Sequence, residues 1–211
     1  VAIGADVLPA HRRCGIGSAL FTHMESLAAE LGRPIFQSSA IHTSSKGGAR
    51  LASSTGIGDI PANDPGAQFL THHGYTLEMV ARISSLDLTA AADSLDDLRR
   101  TAQEKAGVDY RIVSWIGPTP EEWLEQRAAL ATAMSTDEPS GGLETIVDKW
   151  DADRVRQHDE RQNGSGRTLF MSVIEHVPTG SLVGYSELGR LVGDDQPAVQ
   201  EDTLVVRAHR G

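Results

Sequence analysis

Apolar residues recur along this chain in two rhythms, one of strand type and one of helical period, and their alternation predicts a mixed α/β protein. Residues 1–8 are apolar and β-branched enough for a strand, which Pro9 ends because proline cannot donate to a sheet ladder. Beyond Gly17, Leu20, Met24, Leu27 and Leu31 recur at steps of four, three and four, a helical stripe with Gly32 placed to cap its end. Residues 35–39 read as a second strand, so strand, glycine turn, helix and strand form a right-handed parallel crossover. Residues 40–64 lose periodicity and turn to Ser, Gly, Thr and Ala, a long loop with a short helix expected over 46–53. Asp64 and Pro65 cap and start a helix that runs through His73 and ends at Gly74, and residues 80–88 alternate as a strand.

A helix over 94–106 sets Leu95, Leu98 and Ala102 to one side with charges elsewhere, and reads as a linker. A strand over 110–115 follows. Thr119-Pro120-Glu121-Glu122 then supplies a capping box with proline at the first helical position, opening a helix to Met134 with Trp123, Arg127, Leu130 and Met134 on one face. After a loop over 135–142, another helix begins at Asp151 and ends near Asn163 and Gly164. Strands over 168–175 and 182–188 meet at Pro178-Thr179-Gly180, an antiparallel hairpin, and a last strand spans 202–207.

One repeat changes how these elements are grouped. Val7-Leu8-Pro9-Ala10-His11-Arg12 returns as Val205-Val206-Arg207-Ala208-His209-Arg210, at a constant offset of 198 positions (Val7 to Val205). That offset is the size of one ordinary domain, so the chain reads as one period of a duplicated domain. The expected organisation is a carboxyl half-domain over 1–90, a linker helix over 91–108 and an amino half-domain over 109–211. Val1 and Gly211 both read as cuts, and the offset predicts a glycine at position 213 and a glycine or alanine at position 215.

Composition narrows the function classes. The chain has 19 Lys and Arg against 29 Asp and Glu, a formal charge of −10, which disfavours a nucleic-acid partner because phosphate backbones need a basic face. No apolar run approaches the roughly 20 residues that cross a bilayer, so no membrane partner is expected. The single cysteine, Cys14, excludes an internal disulfide framework, suits a cytoplasmic setting and reads as a small residue beside a glycine turn. No metal site is expected.

The chemistry concentrates in Arg12-Arg13-Cys14-Gly15-Ile16-Gly17-Ser18, between a strand and a helix N-terminus. Glycines there let backbone N–H groups face outward, and the helix dipole adds positive potential, the ingredients of a phosphate cradle. A Rossmann fingerprint would need a glycine where Leu20 stands, and the Gly-Lys-Ser/Thr of a P-loop is missing.

Arg12, Gly15 and Gly17 resemble the acyl-CoA pyrophosphate signature (Arg or Gln)-x-x-Gly-x-(Gly or Ala) of the GCN5-related N-acetyltransferases, the GNAT superfamily. Asn63, Ala67, Phe69, Gly74 and Tyr75 resemble that family's later helix. Met134-Ser135-Thr136-Asp137-Glu138-Pro139, Trp150 to Arg156, Thr179 to Tyr185 and Asp202 to Val205 with His209-Arg210-Gly211 resemble bacterial tandem GNAT proteins. The resemblance implies a GNAT-like α/β (α+β) fold, a mixed and mostly antiparallel sheet flanked by helices, in two half-domains. It also implies acetyl-CoA as cosubstrate, held by Val7, Arg12, Arg13, Cys14, Gly15, Ile16, Gly17, Ser18 and Asn63, with its site in a V between the fourth and fifth strands. The partner is a small-molecule or peptide amine, which must be deprotonated to attack a thioester.

Two departures bear on catalysis. Many GNATs carry a tyrosine that protonates the leaving thiolate, where this chain has Leu70; Tyr75 reads as packing. Glu187, Glu201 and Asp202 are the carboxylates placed to serve as base, while His72 and His73 read as surface or capping residues, and Tyr185 and Trp115 as core. An N-acetyltransferase and a non-catalytic acyl-CoA-binding or interaction module both fit these residues.

Overall fold

The structure, a computed structural model, describes residues 2–42, 47–137, 140–193, 195 and 197–210. Val1, Lys46, Glu138, Pro139 and Gly211, on which parts of the expectations above fall, lie outside the described residues. The chain divides into two compact units, Val1–Ile83 with Pro139–Glu144, and Ser84–Glu138 with Thr145–Gly211. It is a mixed α/β protein with mostly antiparallel sheets flanked by helices.

In the first unit, β1 (Ala2–Ile3) leads through a 3-10 turn (Pro9–His11) into α1 (Ile16–Glu30), and β2 (Gln37–Ser38) returns parallel to β1. The crossover is therefore parallel, as the pattern predicts. Among the described residues its ladder holds Ala2 opposite Gln37 and Ile3 opposite Ser38, so residues 4–8 continue beyond the paired strand. A hairpin of β3 (Arg50–Ala52) and β4 (Asp59–Pro61) occupies the serine- and glycine-rich loop; the described part of the segment 46–53, expected to be a helix, holds no helix and contributes Arg50–Ala52 to this hairpin instead. Leu51 and Ile60 pair across that hairpin, and burial of Ile60 against the unit's core favours the strand. Asp64 caps α2 (Pro65–His72) through a 2.9 Å bond from the Ala67 N–H, and Gly74, at φ +82°, ends it.

The buried face of α1 is not the leucine stripe. Phe21, 2% exposed, and Ala28 point into the core, while Leu20, Leu27 and Leu31 face solvent. The aromatic side chains around α2 select that face: Phe21 meets Phe69 at 5.2 Å edge-on and Tyr75 at 5.4 Å between ring centroids. Residues 80–88 form no strand either. Their alternation is present, but a strand exists only with a ladder partner, and Ile83, Leu86 and Leu88 are exposed.

In the second unit, α3 (Ala92–Ala106) buries no residue. It precedes a four-stranded antiparallel sheet of β5 (Tyr110–Ile116), β6 (Arg167–His176), β7 (Ser181–Leu191) and β8 (Val199–Val205), in that spatial order. Between β5 and β6 the chain makes α4 (Leu124–Asp137) and α5 (Ala152–Gly164). Val113, Val173, Tyr185 and Leu204 stand in register across the four strands. Met171, Val173, Leu182, Tyr185 and Leu204 form one core with Leu130 of α4, while Leu124, Ala128 and Val155 seal α4 against α5. The helix face expected from Trp123, Arg127, Leu130 and Met134 is the inward one.

The capping box does not form. The Thr119 backbone N–H donates to Asp159 Oδ2 of α5 at 2.7 Å, and Pro120 opens a 3-10 turn (Glu121–Trp123) ahead of α4. Asp159 draws Thr119 into a contact between elements and away from the helix start. The last strand begins earlier than its sequence suggests, because Val199 and Gln200 pair with Gly189 and Leu188. Among the described residues no helix is long and apolar enough to cross a membrane.

Candidate functional site

The glycine turn of the first unit is built from its backbone outward. Arg13 (φ 63°) and Gly15 (φ 81°) are both left-handed, and Arg13 is the chain's non-glycine residue with positive φ among those described. A left-handed arginine costs free energy, so the surroundings must hold it, and such outliers cluster where function needs a particular backbone. Gly15 caps α1 without a side-chain hydrogen bond, so the first N–H groups of the helix have no cap acceptor. Gly17 has a different job. A Cβ there would stand 3.3 Å from the Phe69 ring and 3.8 Å from Val7 Cγ2, so its absence lets the start of α1 settle against α2.

Arg12 is anchored by its own turn: its Nε–H donates to the Val7 carbonyl at 2.8 Å. The second copy of the motif repeats this bond, with Arg210 Nε–H donating to Val205 O at 2.6 Å. The backbone repeats as well. His11 N–H to Leu8 O and His209 N–H to Val206 O are both 2.9 Å, and Arg12 N–H to Pro9 O and Arg210 N–H to Arg207 O are both 3.3 Å. The sequence repeat is thus a repeat of fold, hydrogen bond for hydrogen bond. In the second copy Arg207 and Arg210 both grip the Asp137 carboxylate. A turn whose arginine Nε is tied to the valine carbonyl therefore still presents guanidinium nitrogens to an anion, as the first copy needs for phosphate.

Val7 and Arg12 to Ser18 come together on this one turn. Asn63 is exposed just before α2, whose Phe69 abuts Gly17. Cys14 is exposed, with its Sγ 3.5 Å from Arg12 O. His73 was not among the sequence candidates, yet it reaches the turn: its Nε2 lies 3.2 Å from Ser18 Oγ. The adjacent histidines stand out in the sequence, but no local spacing encodes the meeting of residues 73 and 18.

The three candidate bases have partners. Glu187, 3% exposed, lies 2.8 Å from Arg127 Nη2, and Arg127, 4% exposed, stacks its guanidinium 4.1 Å over the Tyr185 ring. Burial pushes the Glu187 carboxyl up, but His158, with Nε2 at 3.6 Å, and Arg127 outweigh it and leave it below the ordinary carboxylate value. Asp202 accepts the Tyr185 hydroxyl at 3.1 Å, and burial pushes that phenol well up. Glu201 pairs with Arg167. Tyr185 belongs to the core and Trp115 packs against it. Tyr75 packs on Phe21, its hydroxyl buried without a hydrogen-bond partner, and burial first, Glu25 second, push the phenol up.

No family model matches the chain. Nor does any curated protein. It is similar to a solved tandem GNAT protein from the clavulanic acid biosynthesis pathway, determined without AcCoA, at 27% identity and a TM-score of 0.58. The likeness covers 98% of this chain and 55% of that one, so the chain spans about half the length of the protein it matches. The chain has a GNAT-superfamily fold.

Proposed function

We infer that this GNAT-fold protein is an N-acetyltransferase that moves an acetyl group from acetyl-CoA to an amine. The observation that carries this reading is the turn: left-handed Arg13 and Gly15 opening an uncapped α1, beside an arginine anchored on Val7. Acetyl-CoA, when bound, supplies an activated acyl thioester. Backbone N–H groups from Cys14 to Ser18 and the guanidinium of Arg12 hold its pyrophosphate by charge-assisted hydrogen bonds, and Arg13 adds positive charge. The β1–β2 ladder ends after Ile3, so residues 4–8 run toward the turn beyond the pairing, which supports an opening there of the kind the GNAT resemblance implies. Asn63, exposed just before α2, completes the expected contact set. The acceptor is a small-molecule or peptide amine, and the lone exposed Cys14 suits a reducing, cytoplasmic setting.

A second reading, a non-catalytic acyl-CoA-binding or interaction module, is favoured by one residue. Leu70 follows Phe69 on α2 where the resemblance expects a proton-donating tyrosine, and leucine has no proton to give. Calorimetric titration with acetyl-CoA, followed by thiol release against a panel of amines, separates the two. Binding with release supports the transferase and binding without release the module, while the absence of binding refutes both.

A further inference from the structure

His73 meets the glycine turn at Ser18. His73 is the C-terminal cap of α2, its backbone N–H bonded to the carbonyls of Phe69 and Leu70 just before left-handed Gly74. That backbone fixes where its side chain departs. The imidazole is then packed at 4.6 Å from the Phe69 ring and 5.4 Å from the Phe21 ring, and its Nε2 faces Ser18 Oγ at 3.2 Å. Both residues are half-buried.

Ser18 is the third residue of α1, on the turn whose N–H groups lack a cap. A serine hydroxyl has one proton. If Ser18 gives that proton to His73 Nε2, it offers an approaching anion only lone pairs, which repel it. If Nε2 carries its own proton and donates to Ser18 Oγ, the hydroxyl proton is left for the anion. An anion on the turn favours the second arrangement, in which imidazole, hydroxyl and anion polarise one another in one direction.

We propose that His73 is a positioning residue of the turn: its Nε2–H donates to Ser18 Oγ and so directs the Ser18 hydroxyl proton to a pyrophosphate oxygen of a CoA thioester. The inference rests on the pyrophosphate reading above. It assigns His73 no contact with the ligand, so its effect must pass through Ser18 and must depend on phosphate.

Calorimetry of the full chain with CoA, and with pantetheine as a probe that lacks the pyrophosphate, tests both conditions. His73→Leu weakens CoA binding about tenfold, the lower end of what a hydrogen bond to a charged group is worth. Ser18→Ala gives the same loss, and His73→Leu adds nothing to it in the double variant. His73→Gln, whose side-chain amide N–H can donate to Ser18, keeps most of the affinity. Pantetheine binding is the same in all of them. In the wild type, CoA brings out a protected His73 Nε2–H resonance by NMR, a readout that survives if a variant folds poorly. Wild-type binding of CoA with no loss in Ser18→Ala, with equal losses in the Leu and Gln variants, or with a His73→Leu loss that persists without Ser18 overturns this inference alone. A wild-type chain that does not bind CoA overturns the pyrophosphate reading together with it.

Discussion

Replacing Glu187 by glutamine neutralises one member of a buried ion pair while keeping its shape. Arg127 and Glu187 have side chains 5% and 4% exposed, with 2.8 Å between nitrogen and oxygen. Removing one charge of such a pair strands the other in the core, which costs about 3–5 kcal/mol. The amide still accepts a bond from Arg127, and the guanidinium still lies over Tyr185, so those two remnants offset about 1–2 kcal/mol. The net expectation is a loss of about 1–4 kcal/mol. All three tryptophans, Trp115, Trp123 and Trp150, lie in the second unit, so urea denaturation followed by tryptophan fluorescence reports that unit. Exchanging both partners, Arg127→Met with Glu187→Leu, recovers most of the loss because well-packed apolar side chains replace a buried pair at little cost. The acid limb carries a signature too. Glu187 is held below its ordinary value of 4.5 in the folded state. Its contribution is therefore whole above that value and is lost as pH falls through the lower folded value, and in Glu187→Gln this part of the acid limb flattens. A variant within about 0.5 kcal/mol of wild type, the scatter of ordinary surface substitutions, would refute the buried pair.

Other substitutions follow from the turns. Gly15→Ala meets no neighbouring atom within 4 Å, so its whole cost is the left-handed backbone, about 1–2 kcal/mol, read as weaker acetyl-CoA binding and a lower melting temperature. Arg12→Ala removes a charge-assisted bond worth about 1.5–3 kcal/mol, at least a tenfold loss of CoA affinity by calorimetry. Arg210→Ala, at the matching position of the second turn, leaves CoA affinity unchanged and instead leaves Asp137 paired with Arg207 alone.

The elements that pattern reveals are those held by local rules. Asp64, Asp151, Gly32 and Gly74 mark helix ends through their own backbone and side-chain chemistry, and each does so in the fold. The β6–β7 hairpin carries its turn in sequence, with Gly180 at φ +65°. The misses are elements decided at a distance. The Leu20, Leu27 and Leu31 stripe is a sound helical period, but Phe69 and Tyr75 pull the neighbouring Phe21 face inward. Thr119 has the sequence of a cap, and Asp159, forty residues on, redirects it. Residues 80–88 have the alternation of a strand and no ladder partner. For the site, the repeated hexapeptide is readable because both copies fold through bonds spanning five residues or fewer. The meeting of Ser18 with His73 and of Arg127 with Glu187 spans 55 and 60 residues, and no local pattern encodes it.

The central claim is that the Arg12 to Ser18 turn is a pyrophosphate site, and amide hydrogen exchange resolved residue by residue tests it most directly. Saturating acetyl-CoA is expected to slow exchange at the Gly15, Ile16, Gly17 and Ser18 amides, the orphan donors at the start of α1, and to leave the matching second turn at residues 207–210 unchanged. Binding of acetyl-CoA with no protection at those four amides would contradict the account.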